Sequence, residues 1–139
     1  MKFWDSSAAV SLLLHEQATR NVQQIYEGDS ALVVWWATVV ECASALARAE
    51  RTGVATADDA QQAFARLRAL AGSWTVVEPS ADIRDAAIRF VRVHDLRAAD
   101  ALQLAAAYLG SGRRPSTLEF VCRDDRLARA AEREGFVVR

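Results

Sequence analysis

Apolar and polar positions along the chain change period repeatedly, and each change marks an element. Lys2 to Trp4 is a short apolar run that stops at Asp5 and reads as a buried strand. Between Ser6 and His15, the residues Ala9, Val10, Leu13 and Leu14 fall at helical spacing. A second helix is expected over Thr19 to Glu27, closed by Gly28 and Asp29. Ala31 to Trp36 (ALVVWW) is a continuous apolar run, as expected of a strand covered on both faces. Helices follow over Thr38 to Arg51, ended by Gly53, and over Thr56 to Leu70, where Thr56 is a cap residue ahead of an acidic first turn. Trp74 to Val77 reads as a strand ended by Pro79. Helices are expected over Ser80 to His94 and over Ala98 to Leu109, the latter ended by Gly110. A polar loop, GSGRRPST, leads to a fourth strand centred on Phe120 to Cys122. Asp125 to Glu134 is a last helix, terminated by Gly135, and Phe136 to Val138 a short last strand.

Strands thus alternate with helices, which predicts an α/β fold with a mainly parallel sheet. Ligands of such sheets sit beyond the carboxyl ends of the strands, so chemistry is sought there. The 139 residues carry no repeat, low-complexity tract or linker, and suit one domain, residues 1–139.

Composition narrows the classes. No apolar run approaches the roughly 20 residues of a membrane span. The start, MKFWDSS, has no signal-peptide pattern, so cytoplasmic residence is expected. Cys42 and Cys122 lie in apolar runs and read as reduced thiols; without a CxxC or Cys/His cluster, zinc is not expected. The net charge of −1 argues against a protein that coats nucleic acid, but not against an enzyme with a local basic rim. All 17 basic residues except Lys2 are arginine, the better fork for phosphate.

Four acids fall near strand ends or helix starts. Asp5 follows the first strand and Asp124 the fourth. Glu41 lies in the first turns of the helix after the second strand, and Asp100 near the start of the helix before the fourth. Each has a plain alternative. Asp5, Asp124 and Asp125 suit helix N-caps or first turns. Thr38 and Glu41 have capping-box spacing, and Asp100 and Gln103 share it. Jointly, four acids at one sheet edge with no lysine or histidine beside them call for a hard divalent cation, Mg²⁺ or Mn²⁺, which takes oxygen ligands and keeps waters for chemistry.

Four segments carry a resemblance: DSSAAVSLLL, TVVECASALARAE, LRAADALQLAAA and FVCRDDRLARAAEREGF. In this order, over nearly the full length, they resemble the blocks of PIN domains, and more narrowly the VapC-type ribonuclease toxins of bacterial toxin–antitoxin pairs. The resemblance implies a three-layer α/β/α sandwich around a mainly parallel sheet of four to five strands. It implies Mg²⁺ or Mn²⁺ held by Asp5 and Asp100, with Glu41 and Asp124 completing the acidic pocket. It further implies hydrolysis of RNA phosphodiesters by metal-activated water, a homodimer, and silencing by a small antitoxin. Ser6 matches the hydroxyl residue after the first aspartate. Cys122 stands where a small hydroxyl residue is common, and Asp125 is the second choice for the fourth acid.

Arg48, Arg97 and Arg123 are candidates for RNA contact; the alternative is a solvated face. Trp4, Trp35 and Trp74 read as core, and Trp36, at a strand end, as the candidate for base stacking. His15 and His94 have no matching partner and read as structural. An inactive PIN-like scaffold binding RNA or a partner protein is the competing reading.

Overall fold

The computed structural model describes residues 1–14 and 19–139. Side chains alternate along the strands and so sort the core into two faces. The strands are β1 (Lys2–Trp4), β2 (Leu32–Trp35), β3 (Thr75–Val77) and β4 (Phe120–Val121). Among the described residues they form one sheet in the order β3-β2-β1-β4, every pair parallel. On one face Phe3, Val33, Trp35 and Phe120 pack against α5 (Ala81–Val93), α6 (Ala98–Gly110) and α7 (Asp125–Arg133). Phe3 and Phe120, paired across the strands, stack with ring centroids 5.3 Å apart. On the other face Trp4, Leu32, Val34 and Val121 meet Ala8 of α1 (Ser6–Ser11) and Val22 of α2 (Thr19–Gly28). Helices α3 (Thr38–Arg51) and α4 (Ala57–Ala71) pack with α1 in a third cluster that includes Ala9, Leu46 and Leu67. The result is the expected three-layer α/β/α sandwich.

Caps set the helix starts. Thr56 Oγ1 accepts the Asp59 N–H at 3.1 Å while Asp59 accepts the Thr56 N–H, a full capping box. Ser80 Oγ accepts the Ile83 N–H at 3.2 Å and starts α5. Gly53 and Gly135, at φ 74° and 97°, end α3 and α7, where a side chain would be strained.

Several boundaries differ from expectation. Helix α1 stops at Ser11; its expected end, His15, lies outside the described residues. Gly110 remains inside α6, and the left-handed turn is made by Gly112 and Arg113, both at φ 63°. Part of the expected polar loop closes as a 3₁₀ turn over Pro115–Thr117. The expected last strand is reduced to a bridge between Val138 and Phe120, though Arg139 N–H still donates to Phe120 O at 2.9 Å.

The connection after β1 leads to β2 on one side, and the chain after β4 runs to Val138 on the other. The carboxyl ends of β1 and β4 therefore flank the switch point of the sheet, where a crevice opens. Among the described residues no helix is long and apolar enough to cross a membrane.

Candidate functional site

Strand β1 ends at Trp4, and Asp5 turns the chain into α1. The Asp5 N–H donates to Val121 O at 3.1 Å, which locks it beside the end of β4. Its carboxylate caps α1, with Oδ2 accepting the Ser7 N–H at 3.0 Å and Oδ1 the Ala8 N–H at 3.3 Å. Ser7 Oγ adds a third donation, to Oδ1, at 2.8 Å. Asp5 is only 3% exposed, and burial pushes its carboxyl up to about 6 against the pull of these hydrogen bonds. Near neutral pH it is ionised yet poorly solvated.

Ser7 also accepts the backbone N–H of Arg123 at 2.8 Å and lies 4.0 Å from Cys122 Sγ. The serine thus ties the start of α1 to the loop after β4. Ser6, the expected hydroxyl, is half-buried and makes none of these contacts. Cys122 is a free, half-buried thiol whose Sγ accepts the Asp124 N–H at 3.4 Å. Burial and the charge of Asp5 raise its pKa, so it stays a thiol and not a nucleophile. Cys42, free and fully buried, is pushed up to about 12 by burial and by the charges of Glu41 and Asp5.

The two aspartates after β4 have distinct places. Asp124 is the N-cap of α7, its Oδ1 accepting the N–H groups of Arg126 and Leu127 at 2.9 and 2.8 Å. Asp125 lies in the first turn. Asp100 sits in the first turn of α6; burial and the charge of Asp124 raise its pKa, and Arg97 and Arg126 pull the other way. Asp100, Asp124 and Asp125 line one open cleft of about 580 Å³ with Arg97, Arg123, Arg126 and Arg129. Arg48, in the last turn of α3, does not line it.

Glu41 does not close a capping box. The N-cap of α3 is Ala37, without a side-chain cap, and Thr38 is already in the helix and fully buried. Glu41 Oε2 instead accepts from Gln103 Nε2 at 3.1 Å, and the same nitrogen donates to Thr38 Oγ1 at 3.2 Å. Gln103 lies one turn after Asp100 on α6, so its amide ties Glu41 to the helix that carries Asp100. Asp5 is linked to Asp124 through Ser7 and Cys122.

Sequence reasoning missed Gln103, Ser7 and Arg129 as site residues. Spacing held a signal for two of them. Gln103 follows Asp100, and Arg129 follows Arg126, by three positions on one helix face. Trp36 is 53% exposed just past β2, while Trp4, Trp35 and Trp74 pack in the core. His94 does have a partner: its Nε2 lies 2.7 Å from Glu134 Oε1, which Arg89 also engages.

The four acids form no ion pair among the described residues. Nor do three His, Cys, Asp or Glu side chains there converge as a ready ligand set. The donors are nonetheless hard oxygens, two of them on one cleft with mutually repelling charge. That donor set fits a hard divalent cation held by one or two carboxylates within its own water shell.

The family model described as PIN domain matches residues 2–133. A solved structure described as a toxin-antitoxin complex from Klebsiella pneumoniae is similar, with a TM-score of 0.61 at 17% identity. That likeness covers 92% of this chain and 91% of the other, and it is a likeness of fold. No curated protein matches the chain. With nearly its whole length matched, over a parallel sheet whose switch point carries the acidic cleft, the chain belongs to the PIN-domain family.

Proposed function

We propose that this chain is a Mg²⁺- or Mn²⁺-dependent endoribonuclease, a single VapC-type PIN domain acting as the toxin of a toxin–antitoxin pair. The observation that carries the reading is the shared cleft. Asp100 and Asp124 face it together with four arginines, and Asp5 is buried at the strand end beside it. A polyanion with a scissile phosphate is complementary to that mixture. The arginines bind flanking phosphates as planar forks, and the acids mark where the counter-charge belongs.

Asp5 and Asp100 would hold the ion, with Glu41 and Asp124 completing the pocket. Such an ion supplies water activation and offsets charge on the phosphoryl group. The overall change is hydrolysis: water adds at phosphorus, one ester P–O bond breaks, and the leaving oxygen takes a proton. The backbone N–H groups of Ser7 and Ala8 hold the Asp5 carboxylate in one orientation. Exposed Trp36 offers a stacking surface for an unpaired base at the same edge of the sheet. A small antitoxin as partner is supported by the similar solved structure, described as a toxin-antitoxin complex. The proposal includes a homodimer in the cytoplasm.

The test is cleavage of RNA by the purified chain with Mg²⁺ or Mn²⁺. Asp5→Asn and Asp100→Asn should abolish cleavage while circular dichroism stays native; full activity of both variants overturns the reading. The scaffold alternative is favoured by the want of a ready three-ligand set among the described residues. It forecasts no carboxylate-dependent heat on titration with Mn²⁺.

A further inference from the structure

We propose that Gln103 is the positioning residue that fixes Glu41 relative to Asp100. The inference rests on the metal-dependent reading above and adds a residue to it.

Gln103 is 1% exposed, so its amide has to find its partners inside the protein. It finds them all on the first turn of α3. Nε2 donates to Glu41 Oε2 at 3.1 Å and to Thr38 Oγ1 at 3.2 Å, and Oε1 lies 3.5 Å from Thr38 Oγ1. The orientation is dictated by Glu41, because the flipped amide would set its carbonyl against a carboxylate. Thr38 is itself fully buried and steadies the amide from the side.

The placement joins two acids from different helices. Asp100 and Gln103 are three residues apart on α6 and share a face. Glu41 is three residues after Thr38 on α3, again on one face. The Gln103 amide therefore holds Glu41 to the helix, and the helix face, from which Asp100 projects.

Its neutrality matters as much as its reach. A lysine or arginine at this position would cancel the Glu41 charge. An amide donates to Oε2 without bringing a positive charge of its own to the site. Packing alone does not call for it, since an unbranched apolar side chain of the same length would fill the volume without burying a polar group.

The test uses the full chain and Mn²⁺ as probe. Gln103→Met keeps the volume and removes the donors. Mn²⁺ affinity by calorimetry should fall about tenfold or more, with a native circular dichroism spectrum and a lower urea midpoint from the unpaired Thr38 hydroxyl. Turnover at saturating Mn²⁺ should drop while the KM for RNA holds. Thr38→Val, which removes only the lateral anchor, should shift Mn²⁺ affinity in the same direction by less. It also serves if Gln103→Met folds poorly. Wild-type Mn²⁺ affinity and turnover in a folded Gln103→Met, or in Thr38→Val where Gln103→Met fails to fold, overturn the inference while Asp5→Asn still abolishes binding. Absence of carboxylate-dependent binding in the wild type overturns the underlying reading and this inference with it.

Discussion

The Ser7 hydroxyl joins the two ends of the chain: it donates to Asp5 at 2.8 Å and accepts the backbone N–H of Arg123 at 2.8 Å. That donation favours ionised Asp5, so Ser7→Ala should raise a carboxyl already held at about 6. Proton and ion compete for this carboxylate, so at subsaturating Mn²⁺ the acid limb of the cleavage pH profile should move to higher pH, and Mn²⁺ affinity at pH 7 should fall by up to about tenfold. A pH–rate series on both proteins checks this, and an unmoved acid limb counts against the link.

Asp5 also sets a pH dependence of stability. Its folded pKa of about 6 lies above the ordinary 3.8, so the folded chain binds the proton more tightly than the unfolded chain. The ionised form therefore costs stability above pH 6, by roughly 3 kcal/mol at full effect. The cost fades as pH falls through 6 and is gone below 3.8. Urea unfolding of the metal-free protein should show stability rising from pH 7 to pH 5. In Asp5→Asn that rise should shrink markedly.

Cap and site can be separated at Asp124. Asparagine caps a helix about as well as aspartate, so Asp124→Asn should leave thermal stability nearly unchanged while cleavage is lost. Asp124→Ala should lose cleavage and about 1 kcal/mol of stability. Asp125→Ala, in the first turn and outside the cap, should keep cleavage near wild type. The reverse pattern would move the fourth acid to Asp125.

Glu134 should matter to stability alone. It receives Arg89 Nη2 at 2.6 Å and lies 2.7 Å from Nε2 of the buried His94, joining the ends of α5 and α7. Burial alone would raise its pKa, and the hydrogen bonds from Arg89 and His94 outweigh that, so the net direction is down. Its contribution is present above the ordinary 4.5 and lost as pH falls below it. Glu134→Ala should cost about 2 kcal/mol at pH 7, with the gap to wild type closing in acid and cleavage untouched. Differential scanning calorimetry across pH reads both.

Much of this was legible in the chain because local rules and tertiary structure agree. The apolar runs at Phe3, Val33 and Phe120 became sheet, and Asp5 and Asp124 cap the helices that follow the first and last of them. What misled was chemistry shared between motifs. Thr38 and Glu41 have the spacing of a capping box, yet Thr38 is drawn inside the helix and both pair with Gln103, 65 and 62 residues away. No window of sequence contains that pairing. His94 and Glu134, 40 residues apart, escaped for the same reason. Trp36 was separable from its neighbour Trp35 because β2 is covered on both faces and ends between them, so only the residue past the end is exposed.

The strand order has a consequence for synthesis. Strand β1, made first, takes β4, made near the end, as a neighbour, and Ser7 waits 116 residues for Arg123. At roughly 5–20 residues per second that interval is on the order of 10 s. A growing chain on the ribosome carries Asp5 throughout but has no Asp124, no α7 arginines and no cleft. The acids and arginines that line the cleft come together only after Asp124 and the start of α7 have been added, long after Asp5.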